Sequence, residues 1–279
     1  MTVFLCCACG TSFDTDTAPM VCAICEEERQ YVPPSGQAWT TPERLAQTHR
    51  NSWQQIEPGL LAIQTVPAFG INQRALLLQT PAGNILWDCI ALLDEATRQL
   101  VTALGGLTAI AISHPHYYTT MQDWAAAFDA PIYLHGADQQ WICRPSDQVR
   151  LWEEDALALS DRVTLVHAGG HFAGGTVLHW AADDGEGVML AGDIVQVTPG
   201  ADRVSFMWSY PNMIPLSAPE VTDVAERLAA WPIERIYGAF AGQNIRSGGQ
   251  EIIARSAKAY VERITGRAAA DPDQAPPRW

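Results

Sequence analysis

Lysine is nearly absent from this sequence of 279 residues, because Lys258 is the single lysine and the other 16 of the 17 basic side chains are arginine. With 31 acidic side chains the net charge is −14, so we expect neither nucleic acid nor a membrane as a partner. No apolar run approaches the 18 residues of a transmembrane helix. The opening MTVFLCCACG has no basic flank and is not interpreted as a signal peptide. Glycine-rich nucleotide-binding motifs do not follow any strand-like segment.

Apolar residues make up 48% of the chain and charged residues only 17%, so material for a large core is present. The length suits one domain of ordinary size with a small appendage. Short apolar runs with proline and glycine between them begin near Trp53. The runs interpreted as strands are LLAIQTVP, RALLLQTP, GNILWDCI, LTAIAIS, APIYLH, VTLVHAGG, GTVLHWA, GVMLAGDIV and IERIYGAF. The helical patterns are LLDEATRQLVTAL, TMQDWAAAF, APEVTDVAERLAAW and GQEIIARSAKAYVERITG. Strands in series, then strands alternating with helices, predict an α/β fold of mixed sheets covered by helices.

The first 38 residues differ from the rest, since they hold five of the seven cysteines. Cys6-x-x-Cys9 and Cys22-x-x-Cys25 are separated by twelve residues, a spacing typical of a structural zinc site with four thiolate ligands. Cys7 could replace Cys6 as a ligand, and a loop with unpaired thiols is the alternative. Metal-binding cysteines indicate a reducing compartment, so we expect a cytoplasmic protein.

The predicted organisation therefore has three parts. Residues 1–38 form a zinc-ribbon-like module, residues 39–267 form the main domain, and residues 268–279, with the sequence AAADPDQAPPRW, form a disordered tail.

Candidate metal ligands stand where predicted strands end. His114 and His116 lie in SHPHYY, His171 in AGGHFAGGT, Asp193 in LAGDIV and Asp88 in LWDC. Loops at strand ends are where a rigid sheet usually presents catalytic groups, and two histidines one residue apart can bind one ion. The remaining histidines are interpreted as structural: His49, His135, His167 and His179.

The order of these motifs resembles the metallo-β-lactamase superfamily over about residues 55–265. The phrases SHPHYYT, GGHF and SFMWSYPN, together with the cysteine pairs, resemble a branch of that superfamily in bacteria, fungi and plants with an N-terminal cysteine knuckle. The resemblance implies a four-layer αββα sandwich. It also implies that His114, His116 and His171 are the ligands of a first metal ion, with Asp193 as the carboxylate that bridges two ions. Asp88 matches the acidic residue that braces the metal-binding loop.

The ligands specific to the second ion of the superfamily are missing. In the family pattern His-x-His-x-Asp-His, Tyr118 stands in place of the aspartate and Thr119 in place of the last histidine. A further family ligand, a histidine after the late strand, is replaced by Phe240. The resemblance therefore implies a mononuclear centre of three histidines plus Asp193 or water.

Such a centre would activate water if zinc occupied it. We expect Asp193 to aim that water, and Tyr118 either to donate a hydrogen bond to a developing oxyanion or to fill the space of the second ion. Phe240 and Thr119 are expected to line that space. Trp208 and Tyr210 are interpreted as pocket walls or as ordinary core.

Three functions are compatible with these residues. The first is a zinc-dependent hydrolase of a small ester, lactone or thioester. The second is a mononuclear non-haem iron oxidoreductase that uses His114, His171 and Asp193 as two imidazoles and one carboxylate. The third is a non-catalytic, metal-bound scaffold. We expect zinc at both sites, with iron as the alternative at the histidines, and a small-molecule substrate. Self-association of the chain is left open.

Overall fold

The computed structural model describes residues 2–267, and the predicted tail lies outside these described residues. The N-terminal module consists of one short helix and a three-stranded sheet with the order β2-β1-β3. Its strands are β1 (Thr2–Cys6), β2 (Ser12–Thr15) and β3 (Trp39–Thr40), and its helix is α1 (Ala23–Glu26). The third strand of the module thus begins at residue 39, just after the predicted boundary. Helix α2 (Pro42–Thr48) leads into the main domain.

The first large sheet has seven strands that neighbour one another in chain order. Its strands are β4 (Arg50–Glu57), β5 (Leu60–Val66), β6 (Ala75–Thr80), β7 (Gly83–Trp87), β8 (Ala109–Ala111), β9 (Ile132–His135) and β10 (Val149–Trp152). Strands β4 to β7 are antiparallel, and β7 to β10 are parallel. The parallel connections include helices α3 (Glu95–Ala103) and α4 (Met121–Phe128).

The second half of the chain builds a six-stranded sheet with the order β11-β12-β13-β14-β19-β20 and two small two-stranded sheets. Its strands are β11 (Ala156–Ser160), β12 (Val163–His167), β13 (Thr176–Ala181), β14 (Gly187–Gly192), β15 (Gln196–Val197), β16 (Val204–Ser205), β17 (Met207–Ser209), β18 (Ile214–Pro215), β19 (Arg235–Gly238) and β20 (Asn244–Ile245). Helices α5 (Ala218–Ala229) and α6 (Gly249–Ile264) complete this half.

Alternation along the strands sorts the apolar side chains into three layers of core. Leu76 and Leu78 of β6 pack with Leu178 and Trp180 of β13 in a cluster between the two sheets. Leu77 points the other way, into the cluster beneath α3 and α4. A third cluster lies between the second sheet and helices α5 and α6. Three core layers between four layers of secondary structure confirm the predicted αββα sandwich.

No helix among residues 2–267 is both long enough and apolar enough to cross a membrane.

Candidate metal centre

The first two histidines lie in the loop that joins β8 to α4. The strand ends at Ala111, and a single 3₁₀ turn, Pro115–Tyr117, follows His114. Both His114 and His116 are buried, with 1% and 2% of their surface exposed. The parallel strands β7, β8 and β9 hold this loop at the edge of the first sheet.

The other two candidate ligands come from the second sheet. His171 lies in the turn between β12 and β13, and Asp193 directly follows β14. Gly192 has φ of +54°, and a Cβ atom there would lie 2.3 Å from Ser113 Oγ. Glycine is therefore required where the ends of the two sheets meet, because any side chain would push the two halves of the site apart.

One ligand atom from each of His114, His116, His171 and Asp193 lies within 4.8 Å of the others. His116 Nδ1 and His171 Nε2 are 3.4 Å apart, and His114 Nε2 is 3.9 Å from Asp193 Oδ2. Zinc–nitrogen bonds of 2.0–2.1 Å give a tetrahedron with edges of about 3.3–3.4 Å. His114 Nε2 and Asp193 Oδ1 are buried without a hydrogen-bond partner among residues 2–267. Spacing, donor type and unpartnered atoms together fit a single metal ion.

The protonation states also suit a metal. Burial is the largest cause that lowers the pKa values of the three histidines, and Arg29 lowers all three further, whereas neighbouring imidazoles lower only those of His114 and His116. The pKa of His171 falls to about 4, although its hydrogen bond to the carbonyl oxygen of Met207 raises it. The histidines are therefore neutral at pH 7, which is the form that binds metals. His171 Nδ1 lies 3.0 Å from the carbonyl oxygen of Met207. Because a carbonyl oxygen only accepts, Nδ1 carries the proton and donates it in a hydrogen bond, which leaves Nε2 free to bind a metal.

Asp88 reaches the centre through one intermediate residue. Its Oδ1 accepts hydrogen bonds of 2.8 Å from both the backbone N–H and the hydroxyl of Ser113, and that hydroxyl lies 2.8 Å from His114 Nδ1. Burial raises the pKa of Asp88 to about 7, and the Asp193 carboxylate raises it as well, against the two hydrogen bonds. Asp88 thus holds the His114 ring through Ser113.

The hydroxyl group that enters the centre belongs to Tyr117. It donates a 2.7 Å hydrogen bond to Asp193 Oδ2, and its ring centroid lies 4.3 Å from that of His114. Burial raises the pKa of Asp193 to about 7, and the hydrogen bond from Tyr117 opposes that rise. Tyr118 packs in the cluster beneath α3 and α4, and within residues 2–267 its hydroxyl makes no hydrogen bond to Asp193 or to the histidines. Sequence reasoning considered Tyr118 and missed Tyr117.

A cavity of about 360 Å³ opens at Asp193. Tyr210 and Phe240 line it, as do Gln30 and Tyr31 of the N-terminal module, which were not predicted site residues. The remaining lining residues are Ala8, Gly70, Ile71, Gln196 and Pro211.

Two predicted pocket residues have other contacts. Thr119 accepts hydrogen bonds at its backbone carbonyl from the N–H and the hydroxyl of Ser12, so it contacts the module. Trp208 stacks on Arg29, with 3.5 Å between the guanidinium carbon and the ring centroid.

The second metal-binding group lies in the N-terminal module and consists of Cys6, Cys9, Cys22 and Cys25, without Cys7. Cys6 Sγ is 3.6 Å from Cys25 Sγ, and Cys9 Sγ is 3.5 Å from Cys22 Sγ. Zinc–sulfur bonds of 2.3 Å give tetrahedral edges of about 3.8 Å, close to these distances. Contacts with Cys22 and Cys25 lower the pKa of Cys6, whereas burial, followed by contacts with the neighbouring thiols, raises that of Cys9.

The other histidines lie outside both groups. His135 and His167 stack with ring centroids 3.8 Å apart, His179 Nε2 contacts the carbonyl oxygen of Pro232 at 2.8 Å, and His49 packs edge-on against Phe69.

No model of a protein family matches this chain. The uncharacterised protein YmaE of Bacillus subtilis (strain 168) is 41% identical over 268 residues, which cover 95% of this chain and 97% of that protein. A metallo-β-lactamase of Cronobacter sakazakii with a HARLDQ motif superimposes with a TM-score of 0.53 at 19% identity, over 81% of this chain and 99% of that one. The DIM-1 metallo-β-lactamase superimposes with a TM-score of 0.58 at 12% identity, over 77% and 98%.

Proposed function

Because this chain belongs to one family with YmaE of Bacillus subtilis and has the metallo-β-lactamase fold, we propose that it is a metal-dependent hydrolase. One observation carries the proposal: three neutral imidazoles and one carboxylate converge within 4.8 Å at the edge of a cavity. The substrate class that we propose is a small ester, lactone or thioester. The cavity supports this choice by its size and by its lining, which is mainly aromatic, aliphatic and carboxamide groups.

A zinc ion held by His114, His116 and His171 would lower the pKa of a water molecule from 15.7 to about 7 and so supply a nucleophile at neutral pH. The chain's own groups orient the reactants. Asp193 keeps Oδ2 on the Tyr117 hydroxyl, which leaves Oδ1 free to accept a proton from the attacking water.

The iron alternative needs only two imidazoles and one carboxylate. The third imidazole, that of His116, lies 3.4 Å from His171 and provides one ligand more than that triad requires, which favours zinc. The scaffold alternative predicts a protein that binds metal without turnover.

The test begins with elemental analysis of protein that has not been exposed to a chelator. The protein is then assayed against chromogenic esters, lactones and thioesters before and after metal removal, and again after reloading with zinc or, without oxygen, with ferrous iron. We expect hydrolysis of at least one class that metal removal abolishes and zinc restores. Hydrolysis unaffected by metal removal, no hydrolysis in any class, or oxygen consumption by the iron form alone would each contradict the proposal.

Two variants separate the roles of the ligands. His171→Ala should remove both the metal of this site and the activity. Asp193→Asn should keep most of the metal, because three imidazoles remain, yet lower turnover about 10²-fold, since the water is then misplaced. His49→Ala, at a histidine that belongs to neither metal-binding group and packs against Phe69, is the matched control and should retain both properties.

A further inference from the structure

The cysteine group and the histidine group are connected by residues 26–31, which directly follow the second CxxC pair. Helix α1 begins within the second CxxC pair, where the backbone N–H groups of Cys25 and Glu26 donate to the carbonyl oxygen of Cys22. A tight turn follows, because the N–H of Gln30 donates to the carbonyl oxygen of Glu27 at 2.9 Å. Gln30 is thus fixed only five residues beyond Cys25. We call residues 26–31 the strap.

The strap is bound along its length to the β17–β18 hairpin, in which the carbonyl oxygen of Met207 contacts His171. Asn212 donates through its side-chain amide to the carbonyl oxygens of both Glu28 and Gln30, at 3.0 Å each. The buried hydroxyl of Ser209 donates to the carbonyl oxygen of Arg29 at 2.9 Å. Such backbone contacts fix the position of the strap without depending on its side chains.

Arg29 adds a side-chain anchor next to His171. Its guanidinium carbon lies 3.5 Å from the ring centroid of Trp208 and 4.2 Å from that of Phe172, the residue that follows His171. Only 8% of the Arg29 surface is exposed, so these cation–π contacts are largely removed from water.

The end of the strap contacts a ligand histidine. The Gln30 amide nitrogen Nε2 lies 3.4 Å from His116 Nδ1, and Gln30 and Tyr31 line the cavity beside Asp193. An amide N–H can donate only to an unprotonated ring nitrogen, so this contact selects the tautomer of His116 in which Nδ1, the nitrogen that faces His171 Nε2, is free to bind a metal.

Strand β2, which follows the first CxxC pair, contacts the same loop. Ser12 donates to the carbonyl oxygen of Thr119 through its N–H at 3.1 Å and through its hydroxyl at 2.7 Å. Thr119 is three residues beyond His116, so the segments that follow the two CxxC pairs contact the histidine-bearing loop at two different points.

From these contacts we propose that Gln30 is a positioning residue of the histidine site and that the cysteine site controls metal binding there. A module with so small a core keeps its shape mainly through its metal. When the cysteine site is loaded, the strap and Ser12 are held in place, and His116 is presented in its binding position. When that metal is lost, these contacts loosen and the histidine site binds its ion more weakly. The coupling is reciprocal because it is a property of the two binding equilibria.

The experiment measures the affinity of each site for cobalt and zinc by competition with a chromophoric chelator. Cobalt bound by thiolates absorbs through sulfur-to-metal charge transfer, whereas cobalt bound by imidazoles and a carboxylate does not, so the two sites are read separately. We expect Cys22→Ser to weaken the histidine site roughly 5- to 150-fold, the usual range of coupling between sites. Cys7→Ser is the matched control, because Cys7 lies outside the four-cysteine group, and should stay within about twofold of the parent.

Gln30→Ala leaves all four cysteines in place and therefore tests the strap even if Cys22→Ser fails to fold. We expect a weaker histidine site and a changed visible spectrum of cobalt bound there, whereas Gln47→Ala, at an exposed glutamine of α2, should change neither. Reciprocity requires that His171→Ala weaken the cysteine site by a comparable factor. Affinities within about twofold of the parent in both Gln30→Ala and His171→Ala, in folded protein, would overturn the proposal. None of these measurements depends on hydrolysis, so a failure of this proposal can be distinguished from a failure of the proposed function.

Discussion

The phenol hydroxyl of Tyr117 donates a 2.7 Å hydrogen bond to Oδ2 of Asp193, and both side chains are buried. Asp193 matches the carboxylate that, in the superfamily pattern, bridges two metal ions. Here a neutral donor takes one of its two oxygens, so that oxygen does not need a second cation as its partner.

Tyr117→Phe should therefore leave a buried carboxylate oxygen without its donor. We expect a loss of about 1.5–3 kcal/mol in the free energy of unfolding, the range for hydrogen bonds to charged groups, or an equivalent loss of metal affinity. Urea unfolding and chelator competition measure the two effects. Tyr118→Phe is the matched control, and it should cost less stability than Tyr117→Phe, because the Tyr118 hydroxyl makes no hydrogen bond to Asp193 or to the histidines within residues 2–267. A larger effect at Tyr118 than at Tyr117 would reverse the assignment of the two tyrosines.

The histidine site should hold one ion under conditions that load two into a dinuclear site. Phe240 lines the cavity without a ligand atom, and the backbone of Thr119 is engaged with Ser12. Anomalous scattering from crystals soaked in excess zinc is the measurement. Two peaks about 3.5 Å apart beside Asp193 would show that the site is dinuclear after all.

Asp88→Asn should weaken metal binding or activity roughly 10- to 100-fold, because the carboxylate orients Ser113 and, through it, His114. Asp129→Asn is a suitable control. Asp129 is exposed and shares the left-handed backbone of Asp88, with φ of +51° against +59°, a conformation that asparagine tolerates. Equal metal affinities in the two variants would show that Asp88 does not act on the ligand.

Acid should destabilise the fold partly through His135, which stacks on His167 away from the metal groups. Burial lowers the pKa of His135 from 6.5 to about 4, so between these values the unfolded chain binds a proton that the folded chain does not. Stability therefore falls as pH decreases from about 6.5 to about 4. His135→Gln should reduce this slope in urea unfolding relative to the parent, and His49→Gln should not. Comparing variants at each pH cancels the effect of metal release. An unchanged slope in His135→Gln would show that protonation of His135 does not contribute to the loss of stability in acid.

The sequence predicted the central strands well, because buried runs such as RALLLQTP are apolar on both faces. It did not reveal β4, β10 and β11, which lie at the edges of their sheets. Strand β4, RNSWQQIE, is mostly polar, and β10 and β11 have only four and five residues. The choice between Tyr117 and Tyr118 depends on the 3₁₀ turn, in which positions 114 and 117 share one side. Short-range patterns do not signal that turn, nor the contacts of the strap, whose partners are about 180 residues away.

Those long separations also set an order in time during synthesis. The four cysteines are complete once residue 25 has been made, whereas the histidine group needs residues 114 to 193, and the strap needs Ser209 and Asn212. At 5–20 residues per second, the ribosome takes roughly 10–40 s to add the 180 residues between Arg29 and Ser209. All four cysteines are thus present while most of the chain is still to be made, whereas the histidine group cannot be complete until Asp193 has been added.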